Sequence, residues 1–236
     1  MKLGMLIAAT AMAFSAIPAA AVDLVDSPVT VNSGDIGSSF TYNFNGIVGE
    51  TFVDGLTAAI TFTLTGVSAN VWTFSADFDN AQSTAPVGGR ISGFGFNGNP
   101  EITGATPLSG PFTGALLNAG FPQLGGGTTI DFCLTANNNC QGGGGGGVAD
   151  GASATQTFSL SFANPITSVT FNNFIIRYQS VTGTTLGTSG IGLGGNGFIP
   201  GGGAVPEPAT WAMLLTGFGL VGFAARRRRG ALSVAA

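Results

Sequence analysis

Three sets of residues have types and spacing that could do chemistry. Asp77 and Asp79 lie two apart with Asn80 beside them. Hard oxygens so placed are a start toward Ca2+ ligation, and a carboxylate pair is also what a retaining or inverting glycosidase uses. Adjacent carboxylates on a wet strand are otherwise simply solvated, and nothing else in the chain supports hydrolysis. Cys133 and Cys140 are the only thiols, and Asn137-Asn138-Asn139 lies between them. In an exported protein they are expected to form a disulfide, with the asparagines supplying the turn. Without histidine, two cysteines make a poor metal site. Tyr42, Trp72 and Tyr178 could stack on sugar rings if exposed, although Trp72 lies on an apolar parity.

Composition narrows the choice. The chain has 236 residues with 40 glycines, 19 phenylalanines and no histidine. A Ser/His/Asp triad, His-ligated zinc and imidazole acid-base catalysis are therefore absent. The only lysine is Lys2, and outside the two ends the only cations are Arg90 and Arg177, which argues against nucleic-acid binding. Between the ends, those two arginines face ten of the eleven acidic residues, a balance of −8. Such acidity keeps an exported protein soluble and discourages adhesion to anionic polymers, with divalent cations as conceivable mediators.

Both termini read as addresses. Met1-Lys2, the apolar run Leu3 to Ile17 and the small residues Pro18 to Ala21 have the order of a Sec-type signal peptide over 1–21, cut after Ala21. No Arg-Arg pair precedes the apolar run and no cysteine follows it, which argues against Tat export and lipoprotein processing. At the other end, Ala209 to Ala225 gives 17 uncharged residues, about 26 Å of helix, long enough for a thin bilayer. Trp211 suits the outer interface, and Arg226, Arg227, Arg228 and Arg229 form a stop on the cytoplasmic side. Just before this helix, Pro206 and Pro208 remove two backbone donors and disfavour helix, so Glu207 is presented on an extended segment.

Pro206-Glu207-Pro208, Trp211-Ala212, a short glycine-containing helix and an arginine cluster, in that order at the C-terminus, resemble the PEP-CTERM sorting signal in its PEPxxWA form. The resemblance implies that an exosortase, a membrane-embedded cysteine transpeptidase, recognises Pro206-Glu207-Pro208 in a precursor held in the inner membrane and cuts near it. It further implies a Gram-negative bacterium that makes extracellular polysaccharide, and a surface or biofilm-matrix destination. The Cys133/Cys140 spacing, the Asn-rich turn and the polyglycine are similar to the cistern subgroup of such proteins, a likeness that implies no activity.

The elements that must position these residues are strands. Ala58, Ile60, Phe62 and Leu64 alternate with Thr61, Thr63 and Thr65; Trp72, Phe74, Ala76 and Phe78 alternate with Thr73, Ser75, Asp77 and Asp79; Phe158, Leu160 and Phe162 alternate with Thr157, Ser159 and Ser161. Period two with one wet side marks half-buried antiparallel strands. Phe62, Leu64, Phe74, Leu160 and Phe162 are expected inside, and Thr61, Thr63, Asp77 and Ser161 outside. In Ile166 to Val181 the apolar phase slips at Asn172-Asn173, which predicts a bulge. Arg177 there should point outward, toward a carboxylate. Further strands are expected around 29–32, 38–44, 90–97 and 128–135.

The fold expected is all-β, an antiparallel sandwich or jelly roll over 22–182. Gly142 to Gly147 reads as a mobile loop, being neither a P-loop nor a dinucleotide fingerprint. A Gly-rich flexible linker is expected over 183–204, the sorting signal with its helix and stop over 205–230, and a short tail over 231–236. The function expected is that of a noncatalytic exported surface or matrix protein, associated with biofilm exopolysaccharide. The alternatives are a carbohydrate-binding module, assisted by Ca2+ or not, and an Asp/Glu glycosidase. No cofactor is expected.

Overall fold

Alternating Phe and Thr/Ser residues pair into long strands because only then do the aromatic rings all reach one side. The computed structural model describes residues 24–124, 128–143 and 145–195, and the following concerns these alone. Eleven strands follow one another: β1 Val29–Asn32, β2 Ser39–Val48, β3 Thr51–Ser68, β4 Val71–Asp79, β5 Gly88–Asn99, β6 Ile102–Ser109, β7 Gly114–Ala119, β8 Ile130–Thr135, β9 Ser153–Phe162, β10 Ser168–Thr182 and β11 Ser189–Gly194. No helix among the described residues is long and apolar enough to cross a membrane.

All eleven strands belong to one sheet, in the order β6-β9-β4-β3-β2-β11-β10-β5-β8-β7, with β1 beside β10. Every pairing is antiparallel. The two ends of that order, β6 and β7, are consecutive in the chain and lie against each other without a shared ladder. The sheet is thus nearly closed on itself. This corrects the expectation of a sandwich or jelly roll built from two sheets. The physical reason lies in the bulges: register shifts in β2/β3, β3/β4, β4's neighbour β9 with β6, and β10/β5 let strands as long as 18 residues bend round the core instead of ending at a sheet boundary.

The interior is filled by aromatics. Phe62, Phe74, Phe94, Phe96, Phe132, Phe158 and Phe171 are buried, with ring centroids 4.8 Å apart for Phe96 and Phe132 and 5.5 Å for Phe74 and Phe171. Each such ring contributes about 1.5–3 kcal/mol of burial. The predicted parities hold: Phe62, Leu64, Phe74, Leu160 and Phe162 are buried, Asp77 is exposed, and Thr61, Thr63 and Ser161 are half-exposed. The predicted bulge is also present. Register shifts between Asn172 and Ile175, and Asn173 adopts φ 56°. The extra residue carries the inward phase from Val169 and Phe171 to Phe174, Ile176 and Tyr178. At the same point one edge of β10 passes from β1 to β11.

Two expectations fail in the region after residue 172. The tract expected as linker over 183–204 contains β11, which pairs with both β10 and β2 inside the sheet; the rest of the tract from residue 196 lies outside the described residues. Arg177 is not at the surface but 5% exposed. Both have one cause, a second apolar cluster on the outer side of the sheet. Ile47, Phe121, Ile130, Cys133, Cys140, Ile175, Ile191 and Leu193 form it, with Leu24 and Val25 packed against it. Strands in this sector are covered on both faces.

Candidate functional site

The strands β2, β3, β4, β9 and β6 turn most of their Phe and Leu side chains inward, Leu108 on β6 being exposed and Phe52 on β3 half-buried, so their hydroxyl side chains share the outer face. Register aligns those side chains in rows. One row runs Ser39, Thr63, Ser75, Thr157 and Ser109 across the five strands; the next runs Thr41, Thr61, Asp77 and Thr155; a third runs Thr73, Ser159 and Thr106. Neighbours in a row are one strand spacing apart, about 4.8 Å, and rows are two residues apart along each strand, about 6.8 Å.

Neighbouring hydroxyls bond to one another across the ladders. Ser39 Oγ and Thr63 Oγ1 are 2.8 Å apart, Thr41 Oγ1 and Thr61 Oγ1 2.8 Å, and Ser109 Oγ and Thr157 Oγ1 2.7 Å. Thr155 Oγ1 donates to Asp77 Oδ1 at 2.5 Å. These pairs fix the side-chain rotamers, so each hydroxyl offers its remaining lone pair or proton in a set direction.

Asp77 and Asp79 stand on this face but do not make a joint site. Asp77 is held by Thr155, while Asp79 accepts from Ala81 N at 3.1 Å and Gln82 Nε2 at 2.7 Å. Among the described residues, no three His, Cys, Asp or Glu side chains come together as a metal site. The three candidate sugar-stacking aromatics are all interior, with Trp72 0%, Tyr42 2% and Tyr178 0% exposed. That removes these three residues as candidates for sugar stacking and bears out the apolar parity of Trp72. Their inward parity puts them in the core, where Tyr42 lies 3.9 Å from Phe174 between ring centroids. Burial raises the pKa of both tyrosines.

Cys133 and Cys140 are joined as expected, with their Cα atoms 6.4 Å apart. Closing so short a loop contributes about 2.5 kcal/mol by chain entropy. Arg177 serves the same sector. Its Nε donates to Gln141 O and its Nη1 to Gly190 O, each at 2.6 Å. Burial lowers its pKa to about 10. It ties the segment after the disulfide to β11, a structural role that no local pattern announces.

A groove of about 290 Å3 lies elsewhere, lined by Asn97, Gly98, Asn99, Thr170, Asn172 and Asn173. Most of its amides are spent on the protein itself. Asn172 Oδ1 accepts from Ser27 N at 2.9 Å, Asn172 Nδ2 donates to Asp26 at 2.5 Å, and Asn97 bonds both Asn173 and Asp131 N. The bulge therefore clamps the start of the described chain.

The sorting residues Pro206, Glu207, Pro208, Trp211 and Ala212, the stop Arg226 to Arg229, and the signal peptide 1–21 all lie outside the described residues. Comparison with known families nevertheless decides the first of these. Residues 204–229 match the PEP-CTERM protein-sorting motif. The chain carries a PEP-CTERM sorting signal. This motif indicates processing by an exosortase and membrane-associated sorting to the cell surface. No curated protein and no solved structure matches the chain.

Proposed function

We propose that this PEP-CTERM protein is a noncatalytic component of the cell surface or extracellular matrix, exported through the Sec pathway, held in the inner membrane by its C-terminal helix, and released or transferred when an exosortase recognises Pro206-Glu207-Pro208 and cuts near it. The observation that carries this reading is the filled interior. Phe94 packs against Phe62, Phe78, Phe112, Phe132 and Phe158 in a continuous aromatic core, so the near-barrel offers an outer surface rather than a lumen. The chain's lack of histidine and its single lysine near the N-terminus point the same way. Such a body acts by what its faces adhere to.

Cell fractionation in a host with the matching exosortase tests the proposal. Wild type should be recovered, shortened, in the surface or matrix fraction, and Glu207→Ala should accumulate as full-length precursor in the inner membrane. Equal delivery of Glu207→Ala would remove the motif as the recognition element. Wild-type protein found free in the medium, with none retained by the matrix, would remove the matrix role.

A further inference from the structure

We infer that the outer face of β2, β3, β4, β9 and β6 is a docking plane for an uncharged, hydroxyl-rich polysaccharide. The inference deepens the surface-component reading above and rests on it.

The partner's chemistry follows from what the plane contains and lacks. Its rows are hydroxyls at about 4.8 by 6.8 Å, two-dimensional and repeating, which suits a partner that also repeats and donates and accepts hydrogen bonds evenly. No lysine or arginine occurs in any of the five strands, and Asp77 stands within one of the rows with Asp79 two residues beyond it, so phosphate, sulfate or uronate polymers find repulsion and no counter-charge. The plane is also poor in apolar anchors, with Leu108 on the edge strand β6 the one large apolar side chain exposed among the described residues of these strands. Phe62, Leu64, Phe74, Ala76, Phe158 and Leu160 all turn inward, which removes the buried hot spots that a folded protein partner needs and the apolar surface that a lipid needs. A neutral glycan remains.

Pairing of the hydroxyls supplies preorganisation. Because Ser39–Thr63, Thr41–Thr61 and Ser109–Thr157 are already bonded across the ladders, the side chains lose little rotamer freedom on binding. Each contact is weak, so affinity must come from many at once, and a long polymer will bind where a short oligosaccharide scarcely does.

The molecule also contains a matched control. Thr30 and Thr170, on β1 and β10, form the same kind of exposed hydroxyl pair, 2.8 Å apart, away from the five-strand plane.

The test is sedimentation of the full chain, in mild detergent, with cellulose particles, curdlan particles and alginate beads. Wild type should pellet with at least one of the two neutral glucans and not with alginate. Thr41→Val/Thr61→Val/Thr63→Val/Thr157→Val keeps the β-branched shape while removing four hydroxyls, and should lower the bound fraction at least tenfold. Thr30→Val/Thr170→Val should change it less than twofold. Ser75→Arg, a single change at a half-buried position of the outer face that raises a long side chain above the middle of the plane, should lower it at least fivefold while leaving the melting temperature within a few degrees, which guards against a quadruple variant that fails to fold. Retention of binding by folded quadruple and Ser75→Arg variants would overturn the plane as the site. Binding to alginate alone, or inhibition of ice growth with no glucan binding, would overturn the neutral glycan as its partner, the latter in favour of ordered water. Neither result would touch exosortase delivery, which the Glu207→Ala fractionation reads separately.

Discussion

Two glycine-rich stretches of similar length have opposite fates. Ser189–Gly194 is a buried strand at the middle of the sheet order, whereas the described glycines of the run from Gly142 to Gly147, all but Gly144, lie in a loop, half-buried or exposed. In β11 the glycines alternate with Ile191 and Leu193, which pack in the outer cluster. The glycines face inward instead, and a Cβ at Gly192 would stand 2.7 Å from Ile176 Cγ1 and 3.0 Å from Tyr178 Cε2. Here glycine is a space left for neighbouring large side chains. The polyglycine run has no interleaved apolar residues, and Gly142, Gly143, Gly146 and Gly147 take φ between 86° and 111°, angles that other residues rarely adopt. There glycine is a conformational requirement. Arg177 lies between the two, donating to Gly190 O in one and to Gln141 O at the edge of the other.

The largest effect should come from filling the space in β11. Gly192→Leu must displace Ile176 and Tyr178 from a close-packed interior, costing about 3 kcal/mol or more. We expect it not to accumulate as folded protein, measured by near-UV circular dichroism and urea titration. A stable, native-like Gly192→Leu would show that β11 is not packed as described.

Alkaline titration probes the same packing without substitution. Tyr42 and Tyr178, the only tyrosines, have pKa values raised by burial above their ordinary 10.0. Their protonated forms support the fold below about pH 10, and that support is lost as pH rises and the unfolded tyrosines ionise. Arg177 works in the opposite direction. Its folded pKa of about 10 is below the ordinary 12.5, so the unfolded state binds the extra proton between those values and this group alone adds stability with rising pH. Tyr178, sealed in the core, ionises only when the packing around it opens. Tyrosinate absorbance at alkaline pH should therefore appear together with the loss of near-UV dichroism, and a tyrosinate transition near pH 10 in protein that stays folded would contradict the sealed position of Tyr178.

Arg177→Met should separate the two glycine stretches. Removing the donors to Gln141 O and Gly190 O while keeping an apolar stem should cost about 1–2 kcal/mol, because lost charged hydrogen bonds are partly offset by relief of a buried charge. Hydrogen exchange should quicken over residues 141–147 far more than in β11. The smallest effect belongs to Gly145→Ala. A Cβ there meets nothing within 4 Å and the residue does not have a positive φ, so stability should move by less than about 0.5 kcal/mol in a thermal melt.

Much of the sheet could be read from parity alone. The strands whose one side is wet, β3, β4 and β9, carried the strongest signal because Phe and Thr report opposite environments at every step. The slip at Asn172-Asn173 was legible for the same reason. Strands β6, β7 and β11 were not, since Ile102–Ser109 contains Pro107, Gly114–Ala119 is short and at an edge, and β11 shows its apolar residues on the outside. Trp72, Tyr42 and Tyr178 could be weighed as sugar contacts only until their faces were known. Of the hydroxyl plane, each strand's own alternation was visible, but the rows were not.

The sequence alone determined the address and the covalent cross-link, because a sorting signal is read by an enzyme from a short linear segment and the chain has only two thiols to join. It also determined which side of most strands meets the core, since alternation is a local property. Tertiary structure decided the rest: that one sheet nearly closes on itself instead of two sheets stacking, that Arg177 is buried, that β11 fills the middle of the order, and that hydroxyls from Ser39 to Thr157 align in one row. Each of these depends on register between segments up to 150 residues apart in the chain, as Phe44 and Gly194 are, and register is set by the joint burial of both partners, a quantity that no single segment contains.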